Sequence, residues 1–359
     1  MDFTLPEDLR QYLAELDEFI EAEIRPLEEQ DDNIRFFDHR REDARTDWDR
    51  GGLPSPEWEA LLAEARRRAD AAGHYRYAFP REYGGRDGTN LGMAVIREHL
   101  ARKGLGLHCD LQNEHSIVGN NVGLLLMLHY GGPEQKREWI DDLAAGRRHF
   151  AFGITEPAHG SDATFMETRA TRDGDDWVLY GEKTWNTGIH TASHDLVFAR
   201  TSGTPGSGAG ITAFLVPVGS PGFKVEEYLW TFNMPTDHAH VSFDGVRIPD
   251  GAILGREGRG LEVVQHFFNE NRIRQAASSL GAAQFCIDRS VEYAKTRAPF
   301  GKPLASNQAI QFPLAELYTQ CEMLRALIQK TVPWGVWSVH DDSSSPQGHH
   351  LRAQVYQAK

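Results

Sequence analysis

The amino-acid sequence predicts an α+β protein in which a helical region, a region of strands and a second helical region follow one another. In the first third of the chain, apolar residues recur at helical spacing. Near residue 148 the period changes, and short apolar runs separated by turn sequences follow. Helical spacing returns after Gly260. We therefore predict an all-α domain at 1–148, a β domain at 149–255 and an α-helical domain at 256–359.

The N-terminal region predicts several amphipathic helices. Residues 4–7 match a capping box with a proline near the first helical position, and apolar residues within 9–27 share one helix face. Residues 31–50 carry charges of both signs and predict a solvated loop or an irregular insertion. Further helices are predicted at 55–73, 90–103 and 114–130, the last ending at a Gly-Gly-Pro sequence.

Short apolar runs predict strands in the central region. Turn sequences separate these runs, and no segment between them has the length of a helix. Parallel strands need long crossover connections, usually helical, so this spacing favours an antiparallel barrel or sandwich. The predicted strands lie at 150–154, 177–180, 196–199, 211–216 and 241–243.

Two helices are predicted after the strands. The first extends to about Lys295, and the second runs from about Asn307 to Lys330. Residues 333–350 predict a loop, and the residues after it resemble the start of another helix. We therefore interpret the final helical domain as incomplete within this chain.

Composition and charge narrow the functional classes. The 359 residues carry a net charge of -14, which disfavours a nucleic-acid partner. No apolar stretch approaches the roughly 18 residues of a spanning helix, so membrane insertion is not expected. The N-terminus lacks a signal or transit pattern, and the three cysteines predict no disulfide framework. We predict a cytoplasmic protein without a metal site, although His238 and His240 share one face of a strand.

Two segments carry the chemical information. Residues 152–162, FGITEPAHGSD, lead from a strand into a turn that exposes backbone N–H groups and hydroxyls, which suits a planar heteroaromatic ring or a phosphate. Residues 181–188, GEKTWNTG, add an aromatic wall at Trp185. Taken alone, the first segment favours an ordinary tight turn, and the tryptophan of the second segment is compatible with a core residue. Glu156 is interpreted as a carboxylate that organises the turn rather than as a catalytic group.

Four segments in order resemble the acyl-CoA dehydrogenase family. Residues 152–162 are similar to its TEPxxGSD signature, and residues 181–188 are similar to its KxWxTG signature. The third and fourth matches, at 241–260 and 297–310, extend the likeness over nearly the whole chain. The variant MPTDH at 234–238 resembles a subgroup that includes dehydrogenase domains of larger fused proteins.

The resemblance implies the family's α–β–α fold and FAD as the cofactor. It also implies a homo-oligomer, a dimer or commonly a tetramer, because some matched positions bind the FAD of a neighbouring subunit. The implied FAD contacts are Phe152, Ile154 and Thr155 at the ring edge, Ser161 near flavin and substrate, Trp185 beside the ring with Thr187 close to N5, and Arg297, Phe300 and Gln308 for the neighbour's FAD.

The implied reaction is α,β-dehydrogenation of an acyl-CoA thioester. A carboxylate takes the α-proton while the β-hydrogen moves as hydride to the flavin, and an electron-transfer flavoprotein accepts the electrons. By position, Ser161, Asn269 and Arg272 are the implied substrate contacts. The acyl pocket is expected among the helices near 90–130 and 260–280.

The catalytic base departs from the family pattern. In one branch of the family the base directly precedes the arginine matched by Arg272, where this chain has Asn271. Glu270 is one residue before Asn271, and the rotation of about 100° per helical residue points its side chain in a different direction. The other family position lies near the C-terminus, so we expect the base beyond Lys359 and keep Glu270 as a second candidate. Asn269 also stands where relatives often have aspartate, which leaves that substrate contact open.

Three alternatives to a dehydrogenase remain at this stage. One is a flavin oxidase or monooxygenase on the same fold. Another is a protein that binds flavin or acyl-CoA without catalysis. Such a function would explain why the base is missing. A DNA-associated flavoprotein would need a basic stripe, and the net charge of -14 disfavours it.

Overall fold

The computed structural model describes residues 4–109, 116–119, 122–231 and 234–332. Internal contacts divide the chain into two compact units. Within the described residues, none of the helices combines the length and the apolar character that a membrane crossing requires. The first unit comprises Met1–Phe37, Leu62–Asn120 and Phe268–Lys359, and the second comprises Asp38–Leu61 and Asn121–Phe267.

The first unit begins with one nearly continuous helical segment. Helix α1 (Glu7–Phe19) passes through a π-helical turn (Ile20–Ile24) into α2 (Arg25–Glu29). The predicted apolar face is buried along this segment. The predicted capping box is wrong, because the N-cap is Pro6, which has no side-chain hydrogen-bond acceptor.

Three further helices of the first unit lie at the predicted positions. They are α4 (Asn90–Arg102), most of α7 (Gly260–Thr296) and α8 (Gln308–Thr331). Helix α7 approaches α4 so closely that a Cβ at Gly281 would lie 2.2 Å from a backbone oxygen of α4. The predicted loop at 333–350 and the helix start after it lie outside the described residues. The shared core is built from Ala94, Ala277, Leu280, Ile287, Cys321 and Ile328.

The second unit contains more order at 38–50 than a solvated loop would have. Short 3₁₀ turns lead into strand β1 (Thr46–Asp47), which pairs antiparallel with β2 (Leu53–Pro54). Arg45 is buried because its guanidinium lies 4.4 Å above the ring of Trp58 in α3 (Pro56–Ala71). A cation–π contact thus stabilises a charged residue in a buried position.

Two helices of the second unit differ from the predictions. Helix α5 (Val122–Tyr130) begins later than residue 114, since residues 116–119 are not helical. Helix α6 (Pro133–Ala144) was not predicted. The Gly-Gly-Pro sequence that ends α5 also starts α6, with Gly132 as N-cap and Pro133 at the first helical position, where proline is favoured.

A seven-stranded sheet forms most of the second unit. Its order is β3, β6, β4, β5, β9, β8, with β7 also paired to β6. The core on this sheet includes Leu179, Val197, Phe214 and Val241. The strands are β3 (Phe150–Gly153), β4 (Arg169–Asp173), β5 (Asp176–Thr187), β6 (His194–Arg200), β7 (Ile211–Pro217), β8 (Phe223–Thr231) and β9 (Met234–Pro249).

The sheet is mainly antiparallel, as predicted, but β6 runs parallel to β3 and β4. The expectation of purely antiparallel pairing is therefore wrong. The β4–β5 hairpin lies between β3 and β6 in the chain, so strands supply the crossover that a helix usually provides. Strands β4 and β8 were missed because β4 is mostly exposed and polar, and because β8 has no buried residue and charged residues interrupt its apolar ones.

Candidate active site

Two turns of the second unit, one after β3 and one within β5, are joined by a backbone hydrogen bond. The first turn covers residues 154–162. The second lies where the register of β5 against β9 shifts between Lys183 and Asn186. The N–H of Thr184 donates to the carbonyl oxygen of Thr155 at 2.9 Å. The two segments predicted to face one planar ring are therefore neighbours in the fold.

Lys183 is fully buried, and the first turn holds its ammonium group. Its Nζ donates to the carbonyl oxygen of Ile154 at 3.1 Å and to Oε1 of Glu156 at 2.8 Å. Glu156 also accepts the backbone N–H groups of Glu167 and Thr168 at 2.6 and 2.9 Å. Burial acts to raise the pKa of Glu156, but Lys183 and the N–H donors hold that pKa below its ordinary value. The ionised carboxylate thus organises the turn.

Asp195 on β6 is a second buried carboxyl group in this region. Its Oδ2 accepts a hydrogen bond from Nδ2 of the buried Asn186 at 2.5 Å. Among the described residues, the Oδ1 atoms of both side chains have no hydrogen-bond partner. Burial raises the pKa of Asp195 to about 7, against the opposing effects of Asn186 and Lys183. Gly153 is required here, because a Cβ would lie 2.9 Å from both Nδ2 of Asn186 and Oδ2 of Asp195.

Trp185 projects from the turn within β5 and is 47% exposed. Its φ of 66° lies in the left-handed region, which is strained for a residue with a bulky side chain. The centroid of its ring lies 6.3 Å from that of His238, which contacts the carboxylate of Asp237. Thr187, two residues further along β5, is half-buried. The chain thus holds an uncovered aromatic face close to a hydroxyl group.

The start and end of the first turn differ in accessibility. Phe152 is half-buried, with its ring centroid 5.1 Å from that of Phe198 and 4.6 Å from that of Phe267. Ile154 is buried, whereas Ser161 is exposed. Aromatic packing therefore fixes the start of the turn, and its end faces solvent in the single chain.

Three predicted FAD-binding residues lie in the segment of the first unit that joins α7 to α8. Arg297 follows α7 directly, Phe300 lies in the 3₁₀ turn Pro299–Gly301, and Gln308 is the first residue of α8. All three are exposed, and Phe300 is fully so, with a positive φ of 57°. The single chain leaves these side chains uncovered.

Helix α8 carries large apolar side chains on its exposed surface. An exposed cluster of this kind usually marks an interface with another molecule. We call these residues the α8 surface: Phe312, Leu317, Tyr318, Met323 and Leu327.

Two of the three predicted substrate residues, Asn269 and Arg272, lie on α7 within the first unit, whereas Ser161 belongs to the second unit. Nη1 of Arg272 is 3.4 Å from Oδ1 of Asn269, and the Arg272 guanidinium lies 5.6 Å from the ring centroid of Phe268. Glu270 is buried, and its Oε1 lies 2.5 Å from Nε of the buried Arg274. The candidate base is therefore one member of a buried ion pair.

A small cavity opens at this ion pair. Helix α4 contributes Asn90, Met93 and Ala94 to its lining, and α7 contributes Asn269, Glu270, Ile273 and Arg274.

Three family models match consecutive parts of the chain. The N-terminal domain of acyl-CoA dehydrogenase matches residues 30–147, the middle domain 151–246 and the C-terminal domain 258–338. Glutaryl-CoA dehydrogenase of Desulfococcus multivorans is 30% identical over 335 residues, which cover 92% of this chain and 78% of that protein. The chain belongs to the acyl-CoA dehydrogenase family.

Other family members give the extent of the likeness. The human mitochondrial short-chain specific acyl-CoA dehydrogenase is 36% identical over 251 residues, or 69% of this chain. The chain spans less than two thirds of the first curated relatives, 59% of that human protein and 64% of an acyl-CoA dehydrogenase of Bacillus subtilis. The crystal structure of butyryl-CoA dehydrogenase from Megasphaera elsdenii superposes with a TM-score of 0.72 at 28% identity, covering 92% of this chain and 80% of that one. The predicted acyl-CoA dehydrogenase-like fold is confirmed.

The family motifs did not predict the buried polar groups of Lys183 and Asp195 near the two turns. Lys183 lies inside the second acyl-CoA dehydrogenase motif, but we assigned it no role. Asp195 stands directly before the predicted strand 196–199, and a charge beside such an apolar run was the available signal. A charged residue in a buried strand needs a polar partner. Only the fold identifies these partners, which are Glu156 for Lys183 and Asn186 for Asp195.

Proposed function

We propose that the protein is an FAD-dependent acyl-CoA dehydrogenase that converts an acyl-CoA thioester to its trans-2-enoyl-CoA. The observation that carries this proposal is the hydrogen bond from Thr184 to Thr155, which keeps both family motifs side by side. Trp185 directly follows Thr184 in the chain, and its indole is largely uncovered. An aromatic wall flanked by backbone and hydroxyl groups suits a flat, polar-edged ring.

The residues of the two turns fit an isoalloxazine ring. We infer that Phe152, Ile154, Thr155, Ser161, Trp185 and Thr187 hold the FAD, which when bound would accept the hydride from the β-carbon. The buried Lys183–Glu156 pair supports this role by fixing the shape of the first turn before any ligand arrives. Such preorganisation lowers the free-energy cost of binding.

We further propose a homo-oligomer, a dimer or a tetramer, in which Arg297, Phe300 and Gln308 bind the FAD of a neighbouring subunit. Two observations support this assembly. The phenyl ring of Phe300 is fully exposed in the single chain, and the α8 surface follows it directly. Apolar surface of this extent gains free energy when a second subunit covers it.

The proposed substrate contacts are inferred from positions that match the family's motifs. Ser161, Asn269 and Arg272 are the proposed substrate contacts, and an electron-transfer flavoprotein is the proposed electron acceptor. Asn271 carries no carboxylate for proton abstraction, so the base is proposed at Glu270 or at the family's C-terminal position. The three domains at 1–148, 149–255 and 256–359 and the cytoplasmic location also remain our proposals.

Anaerobic titration of the FAD-loaded protein tests this function. We expect at least one thioester in a series from butanoyl-CoA to palmitoyl-CoA, including branched chains, to bleach the flavin absorbance. The enoyl-CoA product should appear in equal amount by mass spectrometry. A flavin that no thioester bleaches contradicts the proposal. Fast reoxidation by oxygen with release of peroxide would instead indicate an oxidase.

A further inference from the structure

The cavity between α4 and α7 lies among the helices where the acyl chain of a substrate is expected, and a buried ion pair interrupts its mainly apolar lining. Glu270 and Arg274 are 8% and 3% exposed, and both line it together with Asn90 and Asn269. A purely hydrocarbon chain would be bound better by apolar residues, because burying an ion pair costs free energy that apolar side chains do not. The ion pair within this lining therefore indicates a polar ligand group.

The hydrogen-bonding state of Arg274 supports this view. Its Nε lies 2.5 Å from the carboxylate of Glu270, and its Nη2 makes one long contact of 3.4 Å with Asn271. Nη1 of Arg274 is buried and has no hydrogen-bond partner among the described residues. A buried guanidinium nitrogen without an acceptor is costly unless a ligand supplies one.

Size and charge define the chemistry of that ligand group. The cavity has room for about one water molecule, which is also the size of a hydroxyl group. Glu270 and Arg274 together carry no net charge, so an uncharged group fits best. A hydroxyl can donate to the carboxylate and accept from the guanidinium at the same time. A carboxylate in its place would be repelled by Glu270.

We propose that this cavity recognises a hydroxyl group on the acyl chain, so that the preferred substrates are acyl-CoA thioesters hydroxylated at or near the far end of the chain. This inference rests on the proposed function, since it assigns the substrate class of the same enzyme. Glu270 and Arg274 are then specificity-determining residues.

Matched thioesters test the inference. Each saturated thioester from butanoyl-CoA to octanoyl-CoA is compared with its terminally hydroxylated derivative, and pentanoyl-CoA also with glutaryl-CoA, which ends in a carboxylate. The dissociation constant from calorimetry and the rate of flavin reduction are both measured. A hydrogen bond to a charged group predicts that, at one or more chain lengths, the hydroxylated thioester is favoured about ten- to hundredfold.

Variants assign that preference to the ion pair. In Glu270→Met/Arg274→Met the preference for the hydroxyl should disappear, because apolar side chains of similar volume replace the pair. Glu98→Met/Arg325→Met is the control, since it removes another ion pair of the same unit, 2.6 Å long, that does not line the cavity. The control should keep the preference. Glu270→Gln, which keeps the shape of the side chain, replaces the double variant if the latter does not fold.

Three results overturn the inference while leaving the proposed function intact. They are flavin reduction without any preference for the hydroxyl, a preference that survives in Glu270→Met/Arg274→Met, and a higher affinity for glutaryl-CoA than for its hydroxyl analogue. If no thioester reduces the flavin, the proposed function fails, and the ratio of dissociation constants still decides the inference.

Discussion

Lys183 and Glu156 form a buried ion pair, with 2.8 Å between Nζ and Oε1, that ties strand β5 to the turn after β3. The lysine comes from one family motif and the glutamate from the other. A pair so deeply buried gains little net free energy, but the loss of one partner leaves an uncompensated charge. The pair therefore makes the two turns depend on each other.

We expect Lys183→Met to destabilise the protein by about 3–5 kcal/mol, because the Glu156 carboxylate would remain buried without its cation. The measurement is the thermal unfolding midpoint, together with FAD affinity, which should fall as the turn loosens. Lys224→Met is the matched control, since Lys224 pairs with Glu226 on the exposed face of the same sheet. A midpoint for Lys183→Met as close to the wild type as that of the control would contradict the expectation.

Asp195 should make stability depend on pH. Its pKa is about 7 in the folded protein, against an ordinary value of 3.8. Between these values the folded state holds a proton that the unfolded state has released, so stability falls as pH rises through this interval. The loss over the whole interval is on the order of 4 kcal/mol. We expect the drop in melting temperature between about pH 5 and about pH 8 to be smaller in Asp195→Asn. Equal drops in both proteins would refute this assignment, and exposed Asp173→Asn serves as control.

Trp185→Ala should weaken FAD binding about tenfold, which corresponds to about 1.4 kcal/mol, while leaving thermal stability nearly unchanged. The indole is exposed in the single chain, so its removal takes little from the core. Trp230→Ala is the control, because Trp230 is 48% exposed on the same sheet and packs against Trp48. Flavin fluorescence titration measures both affinities. Equal weakening in the two variants would remove Trp185 from the proposed FAD site.

Glu270→Gln separates the two roles considered for this residue. A lost general base lowers the rate about 10²- to 10⁴-fold on every substrate. Lost hydroxyl recognition instead lowers kcat/KM about tenfold or more on hydroxylated thioesters, with a smaller effect on plain ones. We expect the selective loss. A uniform loss on both substrate classes would make Glu270 the base and remove the hydroxyl recognition.

Gly153→Ala should cost about 1–3 kcal/mol, because the new methyl group would press on Asn186 and Asp195 in a closely packed site. Gly219→Ala is the control, since a Cβ at Gly219 has no described atom within 4 Å. Chemical unfolding curves of both variants give the comparison. Equal stabilities would show that the buried polar groups can move aside.

The sequence was sufficient for the order of helical and strand-rich regions and for most helices, because apolar periodicity indicates which face of each helix is buried. It was insufficient where burial is polar or incomplete. Strand β8 has no buried residue, and Arg45 is buried by a cation–π contact, so neither follows the apolar pattern. The parallel pairing of β3 with β6 depends on long-range register, which no local pattern contains.

The candidate site, too, could be predicted only in part from the sequence. The positions of Thr155 and Trp185 follow from motif spacing, and the fold brings their turns together. The ion pair of Glu270 with Arg274 follows from their four-residue spacing on one helix, but its burial against α4 depends on tertiary packing. A charge that the sequence places on a helix can therefore be solvated or enclosed, and only the neighbouring helix decides which.

The exposed phenyl ring of Phe300 and the α8 surface should affect how the purified protein retains its cofactor. If a neighbouring copy completes the flavin pocket through them, cofactor retention becomes a function of dilution. Concentrated solutions would stay yellow, and the colour would be lost on a gel-filtration column at low loading before any helix or strand unfolds. The spectrum and the molecular mass would then change together.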